Sequence, residues 1–190
     1  TFDSLGVGGR RWPARLAPGV MLGDTTGGGS TTPDDDIVVS PPTGYWSHAI
    51  GVAVIDSGIE ESLDFLGRVS HFYDFTNGRV RKAAPSDRYG HGTHIAGLIG
   101  SYFVGVAPSV RLVGLKVLDN NGVGRTSNVI RAIEFATANK DALGLRVINV
   151  SLGHPIFEPA ATDPLVQAVE AAVRAGLVVI TASGNFGLNP

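Results

Sequence analysis

Four short apolar runs, each stopped by small polar residues, are the strongest constraint on how this chain folds. Ile50-Gly51-Val52-Ala53-Val54-Ile55 stops at Asp56-Ser57-Gly58, and Val110 to Leu118 stops at Asp119-Asn120-Asn121-Gly122. Val147 to Leu152 carries Asn149 and Ser151 towards its end and runs into Gly153, and Leu177 to Ala182 runs into Ser183-Gly184-Asn185. Continuous runs of this length suit strands buried on both faces. Helical patterns lie between them. Gly92 to Ser101 follows Gly90. A second helix is expected from a Ser127 cap to about Leu143, with Val129, Ile130, Ile133, Phe135 and Ala136 apolar and Gly144 as its stop. A third opens at Asp163-Pro164 and closes at Gly176. Strands alternating with helices predict an α/β fold on a mostly parallel sheet with right-handed crossovers. In such sheets sites form outside the carboxyl ends of the strands. The polar clusters, together with Gly90-His91-Gly92-Thr93-His94, are therefore expected to converge on one edge.

Composition narrows the function classes. The chain has 190 residues, 43% hydrophobic, enough for a packed core. Its formal net charge is −2, without the basic excess of a polyanion binder, so nucleic acid is not an expected partner. No apolar run reaches the roughly 18 residues of a membrane span, and no basic-apolar leader is visible at Thr1. Cysteine is absent, which excludes disulfides, thiolate metal sites and a cysteine nucleophile. Residues 1–45 hold nine glycines and five prolines, including the low-complexity stretch from Gly27 to Asp36. They read as an N-terminal arm, linker or propeptide remnant, with Trp12 and Leu16 as anchors if the arm packs on the domain. Residues 46–190 read as the globular, catalytic part.

The strand-end residues suit hydrolysis. A buried Asp56 can hold one ring nitrogen of His91 and leave the other as a general base near neutral pH. Gly90 and Gly92 permit close backbone approach. Asn185 can donate its amide to a developing oxyanion. Ser151-Leu152-Gly153 offers an extended edge with which a peptide can pair. A dinucleotide site would need Gly-x-Gly-x-x-Gly after the first run, where Asp56-Ser57-Gly58 stands instead.

Val52-Ala53-Val54-Ile55-Asp56-Ser57-Gly58 and Gly90-His91-Gly92-Thr93-His94-Ile95-Ala96-Gly97 together resemble the subtilisin-like serine proteases, the subtilases of peptidase family S8. Gly105-Val106-Ala107-Pro108, Lys116-Val117-Leu118, Val147 to Gly153 and Ala182-Ser183-Gly184-Asn185 continue the resemblance in the family's order, over roughly residues 50–187. It implies an α/β fold, a mostly parallel sheet flanked by helices on both faces, and a secreted serine endopeptidase acting on polypeptides through an acyl-enzyme. Asp56 matches the triad aspartate, His91 the general base and Asn185 the oxyanion-hole asparagine. Ser151, Leu152 and Gly153 match one substrate-binding wall, and Gly122, Val123 and Gly124 the opposite edge. These walls are uncharged, so a lean towards apolar side chains is expected. A propeptide or a proteinaceous inhibitor is an expected partner.

Two departures from the family pattern stand out. The family's serine lies in a Gly-Thr-Ser-Met-Ala segment well beyond the asparagine; this sequence contains no Gly-Thr-Ser, and its single methionine is Met21. Ser57, Ser151 and Ser183 belong to other parts of the motifs. The expectation is a fragment lacking the C-terminal part and inactive alone; a nicked enzyme and an inactive peptide-binding relative are the alternatives. Loss of later strands should leave one edge of the core exposed. The second departure is that Gly100 to Val104 lacks the oxygen donors of the family's calcium loop. Catalysis needs no cofactor, and a structural calcium is left without an identified site. His91-x-x-His94 is a weak metal pattern without a third ligand cluster. His94 is expected to be buried and structural, and His48, His71 and His154 to lie at the surface or in turns. Asp87 is expected to serve a turn or cap, and Arg79, Arg81, Lys82 and Arg88 to form a solvated basic cluster.

Overall fold

A computed structural model describes residues 2–4, 37, 39–40 and 48–184. The strands are β1 (Phe2–Ser4), β2 (Gly51–Asp56), β3 (Val69–Asp74), β4 (Arg81–Lys82), β5 (Arg111–Lys116), β6 (Val123–Gly124), β7 (Leu145–Val150), β8 (Leu152–Gly153) and β9 (Val178–Thr181). The helices are α1 (His91–Gly100), α2 (Thr126–Ala138) and α3 (Pro164–Arg174).

The main sheet has six strands in the order β4-β3-β5-β2-β7-β9. All neighbours pair in parallel except β3 with β4. Strand β2 lies at its centre and alternates between two cores. Val52 and Val54 pack with Phe72, Leu112 and Ala96 of α1 on one face. Ala53 and Ile55 pack with Val129 and Ile133 of α2 and Ala168 and Ala172 of α3 on the other. Helices therefore cover both faces, which is why the β2 run is continuously apolar. From β5 the chain passes over β2 by way of α2 to reach β7. The carboxyl end of β2 thus lies where the strand order changes direction, the place where open α/β sheets build their sites.

Several boundaries differ from expectation. Strand β3 has no counterpart among the four apolar runs, because Ser70, His71 and Asp74 break its hydrophobic pattern. His71 is buried rather than exposed; its Nε2 lies 2.9 Å from the Ser40 carbonyl and its ring stacks on Tyr73. Helix α2 begins at Thr126 after Arg125, with no side-chain cap from Ser127, and ends at Ala138 rather than near Leu143. Asp163 does cap α3, accepting from the N–H groups of Leu165 and Val166. The run Val147 to Leu152 is two strands, with β7 in the main sheet and β8 in a second one. Strand β9 borders the main sheet, with Val178 and Ile180 half exposed. Of the arm, Ile37 and Val39 pack against the larger core; Trp12, Leu16 and the low-complexity stretch lie outside the described residues.

Two buried arginines act as main-chain clamps. Arg68 donates to the carbonyls of Asp64, Gly100 and Val110. Arg111 donates to those of Ala49 and Leu143. Burying a guanidinium is tolerable when its N–H groups find such acceptors.

Candidate active site

Asp56 closes β2 and is 0% exposed. The N–H of Ser57 donates to its Oδ1 at 2.7 Å. His91 opens α1 on the facing segment, and the Asp87 carboxylate organises the approach to it. Its Oδ1 accepts from the N–H groups of Tyr89 (3.2 Å) and Gly90 (2.9 Å). Its Oδ2 accepts from the N–H (2.8 Å) and hydroxyl (2.7 Å) of Thr93. Asp87 thus supplies the capping that α1 lacks at Gly90, whose φ of 92° turns the chain into the helix. Burial pushes the Asp87 carboxyl up, but these donors and the Ser57 hydroxyl outweigh it and hold the group below its ordinary value.

Gly92 locks the helix start onto the strand end. Its N–H donates to Ser57 Oγ at 3.0 Å. A Cβ there would collide with the Gly58 carbonyl and stand 3.0 Å from Asp56 Cβ. This close approach brings His91 Nδ1 to 2.8 and 2.9 Å from the two Asp56 oxygens. The His91 side chain is 7% exposed. An ionised carboxylate only accepts, so Nδ1 carries the hydrogen and neutral His91 keeps its lone pair on Nε2.

Beside this pair lies a second, three-stranded sheet in the order β6-β1-β8. Phe2–Ser4 runs antiparallel to both neighbours: Phe2 faces Gly124, Asp3 faces Val123 and Gly153, and Ser4 faces Leu152. The turn before β6 is tied by Asp119, whose carboxylate accepts from the N–H groups of Asn121 (2.8 Å) and Val123 (3.0 Å). The opposite rim is tied by Asn149, whose amide donates to Ser151 Oγ at 2.8 Å. Leu152 is buried. Val123–Gly124 and Leu152–Gly153, from the two expected walls, therefore flank one extended segment, which is this chain's own; Gly122 and Ser151 take no part in this pairing. Nothing in Phe2-Asp3-Ser4 announces a strand; the signal is that two-residue strands such as β6 and β8 need a partner between them.

Of the remaining expected residues, Asn185 lies outside the described residues. His94 is exposed rather than buried, because it falls on the solvent side of α1 while Ala96 and Gly100 face the core. His154 stacks on Phe157. Asp87 serves the cap expected of it, and it does so at the helix that begins with His91. Lys116 is a buried charge that sequence reasoning passed over: its Nζ donates to the Ser57 carbonyl. Among the described residues no three His, Asp or Glu side chains gather into a metal-binding group, and no helix is long and apolar enough to cross a membrane.

The pattern of the Subtilase family, Peptidase_S8, matches residues 47–190. Serine protease AprX of Bacillus subtilis (strain 168) is 37% identical over 150 residues, covering 73% of this chain and 33% of that protein. Subtilisin DY of Bacillus licheniformis is 39% identical over 152 residues, covering 76% of this chain and 50% of that protein. The chain thus spans half or less of the length of these relatives. A crystal structure of a cold adapted subtilisin-like serine proteinase superposes with a TM-score of 0.63 at 34% identity, over 80% of this chain and 55% of that one. With three quarters of its length matched, its strand-end pair in place and its fold shared, the chain belongs to the subtilase family.

Proposed function

We propose that this chain carries the acid–base pair and the peptide-binding strands of a serine endopeptidase. The carrying observation is the contact of His91 Nδ1 with both Asp56 oxygens. In this reading Asp56 fixes the ring and offsets the imidazolium charge. Nε2 of His91 takes the proton of a serine hydroxyl as that oxygen attacks the peptide carbonyl, then returns it to the leaving amine. Asn185 donates to the oxyanion. The peptide lies as an added strand between Val123–Gly124 and Leu152–Gly153, the slot Phe2–Ser4 takes in cis. The uncharged walls favour apolar side chains. The reading makes residues 46–190 part of a catalytic domain and residues 1–45 its arm or propeptide remnant, with secretion following from the family resemblance.

The serine is assigned to the length of the relatives that this chain does not span. Ser57 Oγ is engaged with Gly92 and Ser151 Oγ with Asn149, and no Gly-Thr-Ser occurs in the sequence. A fluorophosphonate probe tests this assignment. Residues 1–190 alone are expected to stay unlabelled, and a form extended to the relatives' length is expected to label at one serine. Labelling of Ser57, Ser151 or Ser183 would refute it. The missing Gly-Thr-Ser also supports a second reading, a peptide-binding relative without catalysis; that protein would bind extended peptides and stay unlabelled at any length.

A further inference from the structure

Lys116 ends β5 in register with Asp56 of β2 on one side and Asp74 of β3 on the other. It is 8% exposed, and its Nζ donates to the carbonyl of Ser57, the residue whose N–H holds Asp56. Four carboxylates favour the ammonium, Asp87 from the segment before α1 most, then Asp74 from β3, Asp119 from the turn after β5 and Asp56 from β2. One of them has a cation elsewhere: Asp74 pairs with Arg81 at 2.8 Å. Asp56 and Asp87 instead collect N–H and hydroxyl donors and the His91 ring, which is charged only when protonated. Burial draws the ammonium below its ordinary value, and the carboxylates offset part of that fall.

A buried ammonium is costly, and an apolar side chain of similar length fits a strand whose other positions are all buried. The charge therefore has a use beyond packing. A buried Asp56 carboxylate beside a neutral imidazole calls for positive charge from another source. We propose that Lys116 is a positioning residue for the acid–base pair: its ammonium offsets the Asp56 and Asp87 carboxylates and anchors the Ser57 carbonyl, which keeps His91 neutral and ready to accept a proton. The proposal rests on the reading of Asp56 and His91 as that pair. Without the cation, the uncompensated carboxylates draw a proton onto His91 and hold it there to higher pH.

The test is an NMR titration of the His91 ring in residues 1–190, which reads the imidazole independently of any protease activity. Lys116→Gln removes the charge and keeps an N–H donor; Lys116→Met removes both. Both are expected to raise the His91 midpoint by about one pH unit, the size a nearby unit charge produces at an effective dielectric near 20. A Lys116→Gln midpoint equal to wild type would reduce Lys116 to a hydrogen-bond anchor and overturn the proposal. Two milder variants decide the matter if the neutral ones do not fold. Lys116→Arg keeps the charge and is expected to keep the wild-type midpoint. Asp119→Asn removes a facing carboxylate and is expected to lower it. A shifted Arg midpoint, or an Asn midpoint at or above wild type, overturns the proposal equally. If the protease reading fails while these midpoints move as stated, the electrostatic coupling stands without the catalytic role.

Discussion

His91 Nδ1 stands within 2.9 Å of both carboxylate oxygens of Asp56, across 35 residues of sequence. The contact follows from main-chain packing, since Gly92 sits against the Gly58 carbonyl and donates to Ser57 Oγ. In the extended enzyme Asp56→Asn leaves this geometry near its place but favours the wrong ring tautomer. It is expected to lower kcat by about 10⁴, the size known for the same loss in proteases with this triad. Steady-state peptide hydrolysis checks it; a loss below tenfold would remove Asp56 from the role.

Gly92→Ala tests the packing. The added methyl must displace the Gly58 turn or the start of α1. A loss of roughly 1–3 kcal/mol in urea unfolding is expected, as for other overpacked sites. The same displacement should break the His91–Asp56 contact, so the Nδ1 proton should lose its hydrogen-bonded NMR shift. A variant as stable as wild type with that signal intact would mean the close approach is not a constraint.

Asp87 gives a pH signature. Its carboxyl lies below its ordinary value of 3.8 in the folded chain, so its stabilisation is present in full above that value and lost as pH falls below it. Asp87→Asn should cost about 2 kcal/mol near pH 7, the worth of hydrogen bonds to a charged acceptor. The gap to wild type should shrink below about pH 4. Chemical denaturation at pH 7 and pH 3 reads both values, and a gap that does not depend on pH would contradict the capping role.

The strand Phe2–Ser4 competes for the proposed peptide slot. Deleting residues 1–4 should tighten binding of an extended apolar peptide roughly tenfold, because a tethered competitor acts at millimolar effective concentration. Fluorescence anisotropy of a labelled peptide reads the change. Equal affinity with and without the segment would show that β1 does not hold the slot in solution.

What was legible in the sequence and what was not follow from the reach of each interaction. Strand β2 was legible because both its faces are buried, leaving Val52 to Ile55 uninterrupted by polar residues. The meeting of Asp56 with His91 was legible because Asp56 ends an apolar run and His91 stands between two glycines, both in characteristic small-residue settings. Strand β3 was not, because buried His71 is satisfied by Ser40, far away in sequence. Arg68 and Arg111 were equally hidden, since their acceptors are carbonyls 32 or more residues away in several cases. The exposure of His94 was missed because the turns that fix the rotation of α1 come from Asp87 and Ser57 rather than from the helix itself.

The most direct measurement is peptide hydrolysis by the enzyme extended to the length of its relatives, with His91 intact and as His91→Ala. Loss of the base is expected to lower kcat by about 10⁶, the magnitude known for subtilisin, with KM changed little. The intact enzyme should gain activity as pH rises through about 7, as the ring loses its proton. A His91→Ala enzyme retaining even a tenth of the rate, or an intact enzyme with a flat profile between pH 5 and 8, would contradict the assignment of His91 as the base.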